Sequence, residues 1–218
     1  MQFFKKVLYL IVFIGYSSSF AGAYENFFQA LERDDTATVR ALLQRGFDPN
    51  SVNPKGEQAL VLSLRLPAPG VAKLLIAHPD TQVEVRTPQD ESPLMLAAIK
   101  GELELCQKLI ERDADVNKPG WTPLHYAATG GSAPVVQLLL DHYAYIDAES
   151  PNGSTPLMMA AMYGSGETVQ ALLDGGADAT LKNTKGLTAL DFALKADHPG
   201  AVARIAAALR AKKPAASW

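Results

Sequence analysis

The chain has 218 residues, 48% of them hydrophobic and 20% charged, with a formal net charge of -3. That balance supplies a sizeable core and excludes an intrinsically disordered chain. It also lacks the basic surplus of a nucleic-acid binder, so no nucleic-acid partner is expected.

The first element in chain order is a leader-like segment. Lys5 and Lys6 in MQFFKK give it a positive start, VLYLIVFIGY (7–16) is a continuous apolar run, and SSSFAGA ends on Ala21 and Ala23. A charged start, an apolar stretch and an A-x-A pattern make a secretory signal peptide, with cleavage expected after Ala23. The apolar run is too short to span the ~30 Å hydrocarbon core of a bilayer. No cysteine lies near the cleavage position, so no lipid anchor is expected, nor any membrane insertion once the signal is removed. Removing residues 1–23 leaves 18 basic against 23 acidic side chains, a net of -5. The expected location is the periplasm, with secretion beyond it as second choice.

The one cysteine, Cys106, cannot form an intrachain disulfide, so stability must come from packing. A reactive thiol and a buried small hydrophobe are the two readings of it.

The rest of the chain is a repeat. Aligned on one turn, it reads EQALVLSLRLP (57–67), ESPLMLAAIKG (91–101), WTPLHYAATGG (121–131), STPLMMAAMYG (154–164) and LTALDFALKAD (187–197). The shared leucines Leu60, Leu94, Leu124, Leu157 and Leu190 are spaced by 34, 30, 33 and 33 residues. A period in this range means stacked supersecondary units. Each turn is followed by a second pattern with apolar residues at helical spacing: VAKLLI (71–76), LCQKLI (105–110), VVQLLL (135–140), TVQALL (168–173) and AVARIA (201–206). A Gly, Ala and Asp turn then closes the unit, as in RDADVN (112–117) and GGADAT (175–180). Gly176 is placed to end its helix in the left-handed conformation.

These units resemble the ankyrin repeat, whose pattern runs G-x-TPLH-x-AA-x-x-G, then VV-x-LLL, then GADVN. The resemblance implies an all-α repeat solenoid of about six helix-turn-helix units with hairpin tips. The expected division is a signal peptide (1–23), a degenerate capping unit (24–56), five repeats (57–90, 91–120, 121–153, 154–186 and a C-terminal cap at 187–209) and a flexible tail (210–218). Two units depart from the pattern. The 91–120 unit is three residues short at its tip, KPG (118–120). The 57–90 unit carries prolines in RLPAPG and AHPDTQVEV that should distort its hairpin and turn.

Within TPLH, the Thr or Ser is expected to cap the first helix, the Pro to open it and the Leu to pack between units. His125 is the one histidine at the fourth position; the others are Val61, Met95, Met158 and Asp191. In the ankyrin family this histidine bonds within and between turns, so His125 is read as structural. By the same register Cys106 takes a core position, which favours the buried reading. Ser132 is expected to cap a second helix, and Asp191 to pair with Lys195 at i, i+4 spacing. His78, His142 and His198 do not have the spacing of a metal site. No phosphate loop, GxSxG, HExxH or CxxC occurs, so neither enzymatic activity, a metal nor a cofactor is expected.

The resemblance implies a binding surface on the concave side, built from the exposed face of each first helix and from the tips. By register that surface holds Leu96, Ile99, Tyr126, Met159, Met162, Tyr163 and Phe192. Met adapts to irregular partners and Tyr is enriched at interfaces. Inter-repeat packing is the competing reading of the same residues. The tips NPK (53–55), PQD (88–90), KP (118–119), SPN (150–152) and NTK (183–185) differ in sequence, as loops free of packing demands would. The expected function is a monomeric, non-catalytic module of the bacterial periplasm that binds a partner protein. Exported proteins of this size and type resemble a group that assists envelope proteins, including peroxide-removing enzymes. An inhibitor or immunity-type protein and a secreted effector that binds a host protein are the alternatives.

Overall fold

The structure is a computed structural model that describes residues 22–211. Ala21, residues 1–20 of the expected signal, and the tail from 212 with Trp218 lie outside the described residues; Ala23 sits near the start of a helix. The described residues form twelve helices and, apart from one antiparallel bridge between Val52 and Gln58, no strand. They divide into two compact units, at Gln82 and Val83.

The first unit holds α1 (22–32), α2 (Thr36–Gln44), α3 (Ala59–Arg65) and α4 (Pro69–Ala77). The helix α1 is anchored by aromatics: Phe27 meets Phe28 edge-to-face at 5.3 Å and lies tilted on Phe47 at 4.5 Å, and the Tyr24 hydroxyl donates to the Val52 carbonyl at 2.5 Å. α3 stops at Arg65, and Pro69 takes the first position of α4, where a missing N–H costs nothing. The prolines thus set where these helices end and begin, and α3 still packs on α4.

The second unit holds four helix pairs: α5 (Pro93–Ile99) with α6 (Leu103–Glu111), α7 (Pro123–Gly130) with α8 (Ala133–Asp141), α9 (Pro156–Tyr163) with α10 (Gly166–Asp174), and α11 (Ala189–Lys195) with α12 (Pro199–Ala211). The first helices stack as α5, α7, α9, α11 and the second as α6, α8, α10, α12. The sequence explains the two layers. First helices such as PLMLAAI are apolar nearly all round, and six of the seven residues of α5 are buried. Second helices carry a single apolar stripe, as in Val135, Val136 and Leu139 of α8.

The repeat leucines are the core of the stack. Leu94, Leu124 and Leu157 have no exposed surface, each worth about 1.5–3 kcal/mol of burial. Leu190, in the last pair, is only half-buried, because no further pair follows to cover it among the described residues. Left-handed residues follow α6, α8 and α10 at Asp113, Tyr143 and Gly176, and Gly176 takes that role at φ 97° as expected.

Candidate functional site

The TPLH turn is a reciprocal cap. Thr122 accepts from the backbone N–H of His125 at 3.4 Å and donates its own N–H to His125 Nδ1 at 3.2 Å. The same box forms between Ser92 and Met95, Thr155 and Met158, and Thr188 and Asp191. In two of them a methionine sulfur replaces the imidazole as acceptor, at 3.4 and 3.5 Å. The third residue after the cap is therefore chosen for an acceptor, which His, Met and Asp all carry. Only His125 also reaches the following repeat: its Nε2 lies 2.9 Å from the Ser154 carbonyl.

This arrangement fixes the tautomer. Nδ1 accepts from Thr122 N–H, so Nε2 carries the proton and donates to Ser154. The ring is fully buried, and burial pulls its pKa down to about 4. It is a neutral structural group with both nitrogens committed, as read from the sequence. Asp191 departs from expectation. Its carboxylate accepts from the N–H and hydroxyl of Thr188 at 2.8 and 2.7 Å, not from Lys195, and these bonds hold its pKa below the usual range. The cap outcompetes a solvent-exposed i, i+4 pair. Ser132 departs too: it occupies the cap position of α8, but its side chain makes no capping bond.

The tips share a design that their sequences hide. In 53–57, 87–91, 150–154 and 183–187 the first residue's N–H bonds the fifth residue's carbonyl at 2.9–3.0 Å. The first side chain is always Asn, Thr or Ser, and its oxygen accepts from tip N–H groups. Asn183 Oδ1, for example, takes Lys185 N and Leu187 N, both at 3.0 Å. These are Asx and hydroxyl turns. The first tip residue is thus fixed by the loop, and the middle ones are free to vary. The trimmed tip at 118–120 uses Lys118 instead, whose Nζ binds the Asp90 carboxylate and the carbonyls of Pro119 and Trp121.

A second ladder joins successive turns. Asn117 donates to the Tyr143 carbonyl and accepts from Tyr145 N–H, both at 2.8 Å, and Asp147 accepts from Asp178 N–H at 3.0 Å. The closing residue of GADVN therefore clasps the next turn; sequence reasoning used it only as a repeat marker.

The seven residues expected at the partner surface do not share one environment. Leu96 and Met159 are each only 7% exposed and belong to the core between first helices. Inter-repeat packing is the right reading for those two, because their side chains fill the space between stacked helices. Tyr126, Met162 and Phe192 are half-buried. Ile99 and Tyr163, the last residues of α5 and α9, are exposed at 38% and 62%. Tyr126 is also held by its hydroxyl, which donates to Glu91 at 3.3 Å.

Met162, Tyr163 and Phe192 come together in a groove of about 350 Å³. It lies between α9, α11 and the tips at 150–154 and 183–187, and Leu187 completes its apolar lining. The two tips are tied by a bond from Thr184 N–H to the Asn152 carbonyl at 3.0 Å. The sequence register pointed to the helix residues, and the tips SPN (150–152) and NTK (183–185), named as a second candidate surface, supply Asn152 and Lys185 at the rim beside Lys195.

The other candidate for chemistry is closed. Cys106 is fully buried, and burial followed by the nearby Glu102 charge pushes its thiol up to about 12. Among the described residues no group of three or more His, Cys, Asp or Glu is placed to hold a metal. Among them too, no helix is long and apolar enough to cross a membrane.

Two family models of ankyrin repeats match the chain: a three-copy model over residues 27–119 and 68–150, and a many-copy model over 139–193. The ankyrin repeat and SAM domain-containing protein 6 of Danio rerio is 38% identical over 121 residues, which cover 52% of this chain and 16% of that protein. The B-cell lymphoma 3 protein homolog of Mus musculus is 32% identical over 123 residues, covering 53% of this chain and 28% of that protein. The 2-5A-dependent ribonuclease of Mus musculus is 40% identical over 70 residues, only 10% of its length. The chain thus spans less than a third of these relatives, and the shared part is the repeat. The repeat registers, the reciprocal caps and the family models agree: the chain belongs to the ankyrin-repeat family.

Proposed function

We propose that this chain is a non-catalytic protein-protein interaction module that binds a partner through the first-helix and tip face of residues 83–211. The observation that carries the reading is the exposure of Ile99 and Tyr163 at the ends of two stacked first helices. Half-buried Tyr126, Met162 and Phe192 extend the same apolar surface. Apolar side chains that packing does not need mark an interaction surface. Two candidates for covalent or acid–base chemistry, Cys106 and His125, are buried and committed to the fold.

The proposal includes export. Residues 1–23 have the composition of a cleaved leader, which supports action in a bacterial periplasm as an accessory to an envelope enzyme. The relatives above match the repeats alone and do not bear on location.

Affinity capture from an envelope extract tests the reading, with the full chain and an Ile99→Ala, Tyr163→Ala variant as baits. Circular dichroism verifies that the variant folds. A protein retained by the wild type and lost by the variant is the expected result. A protein held equally by both overturns this face, and a bait that holds nothing overturns the module. The partner's own activity then separates an accessory, which raises it, from an inhibitor, which lowers it. Mass spectrometry of the exported protein should give a new N-terminus at Tyr24; an intact Met1 would remove the leader from the proposal.

A further inference from the structure

The groove between α9 and α11 has a chemistry of its own. Its floor is apolar, from Met162, Phe192 and Leu187, with the exposed Tyr163 ring at one wall. Its rim carries Lys185 on the 183–187 tip and Lys195 at the end of α11, both exposed. Neither lysine enters an ion pair among the described residues. The one carboxylate in the lining, Asp191, is held to Thr188 through Oδ2 and stays ionised, so it offsets one positive charge. Lys182 adds a third positive charge close enough to act on Asp191. This is a local surplus of positive charge on a chain whose net charge is -3.

We propose that this groove takes an acidic segment of the partner protein in which one apolar side chain is flanked by carboxylates. The inference rests on the interaction-module reading and names the chemistry that the groove selects. About 350 Å³ is at the small end of ligand pockets, room for one or two side chains rather than a folded element. The apolar side chain enters over Met162 and Phe192. Flanking carboxylates then meet Lys185 on one side and Lys195 on the other. The tip is a stiff platform for this contact: Asn183 is buried, its side chain clamps Lys185 and Leu187, and Thr184 is bonded to the neighbouring tip. A preformed loop loses little entropy on binding. The opposite charge pattern is selected against, since a basic segment would face two unneutralised ammonium groups.

Three synthetic peptides test this by titration into ¹⁵N-labelled full chain: acetyl-Glu-Asp-Phe-Asp-Glu-amide, its Gln-Asn-Phe-Asn-Gln counterpart, and Glu-Asp-Gly-Asp-Glu. The acidic phenylalanine peptide should shift the amides of residues 183–187 and the last turn of α11. It should bind at least about tenfold more tightly than either control and weaken as salt rises. A Lys185→Gln, Lys195→Gln variant, altered only at exposed positions, should lose that preference while its other amide peaks stay in place. Equal binding of the acidic and neutral peptides overturns the proposal. So does a shift map centred elsewhere, unchanged binding by the lysine variant, or no binding at millimolar peptide. If the lysine variant loses the peptide preference and also loses the protein held by the wild-type bait, the groove is where that partner docks. If it still captures that protein, the groove proposal falls and the module reading stands; a wild-type bait that holds nothing overturns the module reading itself.

Discussion

The Nε2 of His125 lies 2.9 Å from the carbonyl oxygen of Ser154, in the next repeat. The same ring accepts the Thr122 N–H through Nδ1. Burial disfavours a second proton, and at Nδ1 it would also face the Thr122 N–H. The folded protein therefore holds the imidazole neutral down to about pH 4, whereas the unfolded chain protonates it near 6.5. The unfolded state binds more protons between those values, so stability is fully present above about 6.5 and is lost as pH falls toward 4. Over that window the loss attributable to this one group is of the order of 3 kcal/mol. The paired carboxylates, with depressed pKa values, act at lower pH.

Denaturant titrations across pH 4–7 should show this slope in the wild type and lose most of it in His125→Met. Methionine is the informative substitution, since Met95 and Met158 already close the same cap. At pH 7 the variant should be less stable by about 1 kcal/mol, the worth of the missing bond to Ser154. An unchanged slope in the variant would show that His125 is not the titrating group.

At Gly130 the first helices α5 and α7 approach closely. A methyl group there would sit 2.1 Å from the Ile99 carbonyl oxygen, which is backbone and cannot swing aside. Gly130→Ala should force α5 and α7 apart and cost about 1–3 kcal/mol, read as a lower denaturation midpoint. The exposed Ile99 should shift with it in an amide spectrum. A midpoint equal to the wild type would mean that the stack yields more easily than close packing allows.

Much of this was legible before any coordinates. The period of the repeat gave the helix pairs, and the register gave the buried Leu94, Leu124 and Leu157, the cap at Thr122 and the core position of Cys106. Exposure was not legible. Leu96 and Tyr163 both follow from one alignment, yet one is 7% and the other 62% exposed. How far a side chain is covered depends on the neighbouring repeat, not on its own unit. Asp191 was misassigned for a related reason. Spacing named Lys195 alone, and only geometry shows that two short bonds to Thr188 win. The tips hid their common chemistry because Asn, Thr and Ser do the same turn-closing job.

Cys106 supplies a test of the core. Its thiol is fully buried and held near 12, so almost none is thiolate at neutral pH, and thiolate is the reacting form. A thiol reagent such as an aromatic disulfide should leave the native chain unlabelled over hours and label it at once in denaturant. The rate in native buffer should follow unfolding. Rapid labelling without denaturant would restore the reactive-thiol reading.

Tyr143 sits where two other units place glycine, Gly46 and Gly176, and a third places Asp113. Its φ of 62° matches the left-handed turn of Gly46 and Gly176, and its ring is 86% exposed. For a bulky residue that conformation costs about 1–2 kcal/mol, and an exposed ring returns little of it. Its carbonyl is what the fold uses, as the acceptor of Asn117 Nδ2, and glycine would keep it. Tyr143→Gly removes the strain and adds about 0.5–1 kcal/mol of unfolded-state entropy, so the net should be a gain of up to about 1 kcal/mol. The measurement is the shift in denaturation midpoint at constant pH. A loss of stability would show that the ring packs in a way its exposure conceals. A gain would leave Tyr143, beside the also exposed Tyr145, as a residue kept at a cost to the fold.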